Sequence, residues 1–233
     1  MASFTIAINH LLDILNSLTI CYFFAGNGAY TLLMLGSLAS VLVYNRRLAY
    51  QGLGDLSESV TTPPVTVIIP ACNEEAVIAE TVRCVMNCRY PGLQVLVVDD
   101  GSTDQTINRL TKAFKLVRFD LIYRSILQTE PVRAFYVSES FPALTVIQKQ
   151  HGGKPDALNA GINFCRTPYF CSTDADTILE ADALLRLMRP ILQSPVETVA
   201  SAGIIRVLNG SSIENGKIAR AHLPSRWIER FQV

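Results

Sequence analysis

The sequence predicts an α/β protein, a doubly wound and mostly parallel sheet preceded by one N-terminal transmembrane helix. Three observations carry this expectation. Short apolar runs at 65–69, 94–98, 144–147 and 169–173 alternate with stretches of helical periodicity. A polar cluster follows each of the four runs. Residues 18–44 are almost wholly apolar or small, and no lysine or arginine occurs before Arg46.

The N-terminal stretch comes first. Roughly 20 apolar residues cross a bilayer, so 18–44 is long enough to cross once. Arg46 and Arg47 follow it directly, and the positive-inside bias places everything after them in the cytoplasm. A signal peptide needs a basic n-region and a short apolar core, and both are missing. The uncharged length and the abrupt arginine pair argue against a buried core helix. The expected organisation is a membrane anchor over 1–48, a polar Gly/Ser/Thr/Pro linker over 49–64 and an α/β domain over 65–233.

The α/β elements follow in order. Val65-Thr66-Val67-Ile68-Ile69 reads as a buried strand ending at Pro70. Asn73-Glu74-Glu75 is a helix-start signature, and Ile78, Val82, Val85 and Met86 recur at helical spacing behind it. Residues 94–98 form a second strand that ends in Asp99-Asp100-Gly101-Ser102. The Ser102-Thr103-Asp104 cluster caps a helix with Ile107, Leu110 and Phe114 on its inner face. Residues 144–147 form a third strand, and His151-Gly152-Gly153 turns into a helix over about 155–165. Residues 169–173 form a fourth strand that ends at Asp174-Ala175-Asp176. A last helix covers about 180–192. The connection at 115–145 is longer than a minimal α/β unit needs and carries no assigned chemistry.

Composition excludes several classes. The 233 residues carry 20 Lys+Arg and 20 Asp+Glu, so the basic excess of a nucleic-acid binder is missing. The six cysteines form no C-x-x-C pair and the three histidines are scattered, so a zinc site has no support; reduced thiols are expected. No Walker spacing, no G-x-S-x-G elbow and no Ser/His/Asp triad is present. Gly26-Asn27-Gly28 lies inside the apolar span and is not a dinucleotide loop.

In open α/β sheets the ligand sits beyond the carboxyl ends of the strands. Four polar clusters from four segments therefore converge on one edge. Asp174 and Asp176 flank one small residue, so in extended backbone they point to the same side and repel unless a cation lies between them. Oxygen ligands on a loop suit Mg²⁺ or Mn²⁺, which would neutralise a diphosphate. An isolated D-x-D is more often a solvated turn, and the convergence is what lifts this one. Asp99 and Asp100 read as acceptors for a base or ribose, and Gly101 permits close approach. Lys154 follows two glycines at a helix start, where ammonium and helix N-terminus both favour anions.

Taken together, four ordered motifs resemble the family-2 glycosyltransferases, which have a GT-A fold. They are the segments 67–74, 97–104, 152–159 and 174–176, with a weaker match at 227–233. An anchor ahead of the domain is similar to the processive branch, which includes synthases of poly-N-acetylglucosamine, hyaluronan, chitin and cellulose. The resemblance implies a UDP-sugar donor, a glycan or lipid-linked acceptor and an inverting transfer at the cytoplasmic face of the cell membrane. Pro70, Ala71, Asn73, Glu74, Asp99 and Asp100 would contact the uridine, and Lys154 the diphosphate. Asp174 would sit near ribose, phosphate and metal, and Asp176 would hold the metal. Cys72 stands where an aromatic residue often precedes the Asn-Glu pair.

In the family the general base belongs to a later acidic motif, followed by Gln-x-x-Arg-Trp and further membrane helices. None is found through Val233, and Arg226-Trp227 lacks the glutamine. The expectation is a donor-binding fragment, inactive alone, whose base lies beyond Val233. Two alternatives stay open: a non-catalytic membrane protein that binds a nucleotide sugar, and a non-processive lipid-linked sugar transferase.

Overall fold

The computed structural model describes residues 2–50, 62–121, 123, 125–193, 198–204, 212–214 and 217–220. Most of the expected linker and all of 227–233 lie outside these residues. The chain divides into two compact units, Met1–Gly52 and Leu53–Val233.

The first unit is one helix, α1 (Ala2–Tyr50). Its segment Leu12–Val43 is long and apolar enough to cross a membrane, and none of that segment is buried by protein. It contains all but the last residue of the expected 18–44 span. Several polar side chains within it bond back to the helix itself. Asn27 Nδ2 donates to the Phe23 carbonyl at 2.7 Å, and the Thr19 and Thr31 hydroxyls donate to Leu15 and Asn27 carbonyls. Such back-bonding removes donors that hydrocarbon could not satisfy.

The second unit is built on a six-stranded sheet. Its elements are β1 (Val65–Ala71), α2 (Ile78–Met86), β2 (Leu93–Asp100), α3 (Thr106–Phe114), β3 (Leu116–Phe119), β4 (Val132–Ser138), β5 (Leu144–Lys149), α4 (Lys154–Phe164), β6 (Tyr169–Ser172) and α5 (Ala183–Gln193). The strand order is β3-β4-β5-β2-β1-β6. The pairs β1–β2, β1–β6 and β2–β5 are parallel, whereas β3–β4 and β4–β5 are antiparallel. A two-stranded antiparallel ribbon, β7 (Ser212–Glu214) with β8 (Lys217–Arg220), stands apart from this sheet.

Both faces of the sheet are covered, as a doubly wound α/β fold requires. On one face Val65, Val67, Ile69, Val95 and Val97 pack with Ile78 and Val82 of α2, Leu110 and Phe114 of α3, and Leu184 and Met188 of α5. On the other, Ile68, Leu96, Val98 and Ile147 pack with Ala157 and Ala160 of α4. Every residue of β1 is buried, which is why it reads as an unbroken apolar run. α4 lies so close to β1 that a Cβ on Gly161 would come within 2.5 Å of Ile68 Cγ2.

The 115–145 segment differs from expectation, because it carries β3 and β4. β4 breaks the period-2 pattern by which strands are recognised. A register shift between Val132 and Ala134 leaves Ala134 and Phe135 buried in succession. The aromatic run Phe135-Tyr136 was the signal available for it. The second helix also starts later than its Asn73 signature, at Ile78, after a turn in which Val77 and Ile78 N–H groups reach the Glu74 carbonyl.

Candidate donor site

Period-2 alternation sends the two acids at the end of β2 in opposite directions. Asp99 continues the face of Val95 and Val97, and Asp100 that of Leu96 and Val98. Their environments differ accordingly.

Asp100 spends its oxygens inside the protein. Oδ1 accepts from Lys149 Nζ at 2.6 Å and from Gly152 N at 3.0 Å, and Oδ2 accepts from Gly153 N at 2.7 Å. His151 Nδ1 lies 2.9 Å from Oδ2 and 3.0 Å from the Asp100 carbonyl. Burial pushes its pKa upward, but Lys149 and the two glycine N–H groups outweigh burial and hold the carboxyl below its ordinary range. The Gly152 and Gly153 N–H groups therefore face Asp100. The reason is strand register, since Asp100 pairs with Lys149 at the point where β5 runs into the glycine loop.

Asp99 is fully buried and neither carboxylate oxygen has a hydrogen-bond partner. Burial raises its pKa. Ser102 and Gln148 lie near enough to lower it part of the way, although neither makes a well-formed bond with either oxygen. A buried acceptor left in this state costs free energy, which a ligand donor can offset.

Asn73 joins the first two polar clusters. It adopts a left-handed backbone with φ 59°. Its Oδ1 accepts from the N–H groups of Thr103 at 2.8 Å and Asp104 at 3.3 Å, and its own N–H donates to Ser102 Oγ at 2.9 Å. Glu74 N–H donates to Thr106 Oγ1, and Asp104 caps α3 by accepting from Thr106 N at 2.9 Å. Pro70 and Ala71 form the buried end of β1, with Ala71 in register with Asp99.

The other two clusters meet directly. Lys154 Nζ, at the first residue of α4, lies 2.5 Å from Asp174 Oδ1, and both side chains are about half exposed. Asp174 and Asp176 are exposed, whereas Ala175 between them is buried. The Ala175 carbonyl accepts from Thr81 Oγ1 at 2.6 Å, which fixes the triplet to α2. Glu74 has a raised pKa through burial and then through the negative charges of Asp176 and Asp104. The 67–74 and 174–176 motifs are thus within each other's field. Among the described residues, no three His, Cys, Asp or Glu side chains are grouped so as to hold a metal by themselves.

The sequence pattern did not mark two residues that build this arrangement, Lys149 and Thr81, and gave Asp156 no role of its own within the 152–159 motif. Lys149 is fully buried, although lysine is rarely so. Its position at the end of an apolar strand was visible, but its partner was not, because that depends on β5 lying beside β2.

All four polar segments, each with an acid and one with Lys154, lie at strand ends of one α/β sheet, the edge where open α/β folds hold their ligands. Residues 66–229 match the family described as Glycosyl transferase family 2. The chain belongs to that family. It is 29% identical over 154 residues to the probable glycosyltransferase YdaM of Bacillus subtilis, covering 64% of this chain and 31% of that protein. It is 27% identical over 149 residues to a poly-beta-1,6-N-acetyl-D-glucosamine synthase of Staphylococcus aureus, covering 64% of this chain and 30% of the synthase. The chain thus spans just under a third of the length of these relatives. Among solved structures, a Pyrobaculum calidifontis mannosyltransferase in complex with GDP-Man and Mn²⁺ aligns with TM-score 0.43 and 23% identity, over 68% of this chain and 42% of that one. S. aureus TarS 1-349 in complex with UDP-GlcNAc aligns with TM-score 0.43 and 19% identity, over 63% and 38%.

Proposed function

We propose that this chain binds the UDP-sugar donor of a membrane-anchored glycosyltransferase that elongates a glycan at the cytoplasmic face. The observation that carries this reading is the Lys154–Asp174 ion pair beside Asp176 at the carboxyl edge of the sheet. One cation and two acids lie where a diphosphate and its counter-ion would be held. A diphosphate entering there takes the Lys154 ammonium from Asp174 and leaves that carboxylate free.

The residues fit a hard divalent cation. Asp174 and Asp176 are exposed oxygen donors on one short loop, and the Asp176 charge already bears on Glu74. Mg²⁺ and Mn²⁺ sites of this kind use one or two carboxylates and complete their shell with phosphate oxygens and water. When bound, the cation supplies charge neutralisation for the departing diphosphate. The unpartnered Asp99 carboxylate supports the nucleoside end of the reading, since a uracil N–H is a donor it lacks. In this scheme Asp100 and Asn73 hold the loops in place and do not touch the nucleotide. Acceptor deprotonation is assigned to no residue of this chain. Arg46 and Arg47 after the apolar span support the cytoplasmic side.

Calorimetric titration of the purified chain with UDP, with and without Mn²⁺, tests the reading. Saturable binding that tightens with Mn²⁺ and weakens in Lys154→Ala is expected. UDP affinity unchanged by both Mn²⁺ and Lys154→Ala would sink it.

A further inference from the structure

The His151–Lys154 loop carries a lysine whose place matters to the proposed site, yet its own glycines have no side chains to fix it. What fixes it is a charge cluster beneath. Lys149 is fully buried, with Nζ 2.6 Å from Asp100 Oδ1, 2.5 Å from Asp156 Oδ1 and 2.5 Å from the Gln150 carbonyl. Asp100 in turn accepts from Gly152 and Gly153. Asp156 lies in the first turn of α4 and also accepts from Glu130 N–H at 3.0 Å. Burial alone would lower the Lys149 pKa, but the two carboxylates outweigh it and raise it, so the cluster stays ionised. The packing leaves no slack. A Cβ on Gly152 would stand 2.6 Å from Asp156 Oδ1, and one on Gly101 would stand 2.8 Å from His151 N.

We propose that Lys149 is a positioning residue for donor binding: through Asp100 and Asp156 it clamps both ends of the 151–154 loop and so presents Lys154 to the diphosphate beside Asp174. The inference rests on the donor-site reading above. Lys149 touches no ligand itself. A buried charge held by two carboxylates has one favourable geometry, and the loop inherits it. Removing the ammonium leaves Asp100 and Asp156 facing each other, and they separate. Their loss of register moves Gly152 and Gly153, and with them the start of α4.

The test compares UDP with uridine on the 233-residue chain in detergent. The two ligands share the nucleoside and differ in the diphosphate, so their affinity ratio reports Lys154 placement. General loss of folding would scale both affinities alike. In Lys149→Met the UDP-to-uridine ratio should fall by roughly tenfold, the scale seen when an orienting partner of a ligand group is removed. Uridine affinity should stay within about twofold, because Asp99 faces away from the cluster. Asp156→Asn keeps the Lys149–Asp100 pair and leaves one amide oxygen to accept from either Lys149 or Glu130; in the folded variant the ratio should fall in the same direction and by less than in Lys149→Met. If Lys149→Met does not fold, Asp156→Asn decides. An unchanged ratio in the folded variants, or a proportional fall for both ligands, overturns the positioning role. A wild-type chain that binds UDP no better than uridine removes the donor-site reading itself, and this inference with it.

Discussion

Thr81 and Ala175, 94 residues apart in sequence, are joined by a buried hydrogen bond of 2.6 Å from the threonine hydroxyl to the alanine carbonyl. It links α2 to the loop that carries Asp174 and Asp176. Both acids lie in the loop whose middle carbonyl this bond holds.

Replacing Thr81 with Val keeps the shape and deletes the donor. The Ala175 carbonyl then loses its partner, at a cost of about 1–3 kcal/mol. Thermal unfolding should show that loss, and Mn²⁺-dependent UDP binding should weaken beyond it. A variant with wild-type melting and wild-type Mn²⁺ dependence would show that the bond does not hold the loop.

Asp176→Asn removes a negative charge and keeps the volume at an exposed position. UDP affinity in Mn²⁺ should fall by at least about tenfold, since even groups that only orient a metal ligand are worth that much. Affinity without metal should hardly change, and melting should match wild type. Equal losses with and without Mn²⁺ would assign Asp176 a role other than metal binding. The same variant should return Glu74 toward its ordinary titration range, readable by NMR, because one cause of its upward shift is gone.

Asp99 and Asp100 make opposite contributions to the pH dependence of stability. Asp99 has a folded pKa above its ordinary 3.8, so the folded state binds the extra proton. Its stabilising effect is present below the unfolded value and lost as pH rises through the folded one. Asp100 is depressed, so its contribution is present above the unfolded value and lost as pH falls through the folded one. Asp99→Asn should therefore melt higher than wild type at pH 8, with the gap closing toward pH 4. Asp100→Asn should melt lower at pH 8 and approach wild type in acid. Differential scanning across that range checks both, and parallel curves for all three proteins would contradict the assignment.

Gly161→Ala forces a methyl to within 2.5 Å of Ile68 in the fully buried β1 strand. Overpacking of this kind costs about 1–3 kcal/mol. Melting should drop accordingly, and a folded variant should bind uridine and UDP in the wild-type ratio, because the clash lies below the loop and not in it.

The central strands were legible because full burial in a parallel sheet turns β1 and β2 into plain apolar runs, and their ends fall on the motifs. The apolar N-terminal span was legible for a different reason, as length without charge. β4 was not, because its bulge breaks alternation at Ala134 and Phe135. The positions of Asp99, Asp100, Lys154, Asp174 and Asp176 at one edge followed from strand ends alone. The split between Asp99 and Asp100 follows from period 2 but gains meaning only once Lys149 is known to lie across from Asp100. That is a non-local pairing, between strands 49 residues apart at those positions, and no local pattern encodes it. Thr81 was hidden in the same way: its hydroxyl sits on an amphipathic helix, where the sequence marks it only as a neutral position on the inner face.

Ala175 is 5% exposed and packs into the core that α2 and α5 share, while its neighbours on either side stand in solvent. Saturation mutagenesis of the triplet should therefore give an inverted tolerance profile. The centre should accept only glycine, serine or other small side chains for folding, and the flanks should accept many residues for folding but few for binding. A single-residue insertion after Asp174 should be worse than any substitution, since it turns one carboxylate into the core and brings an apolar neighbour out.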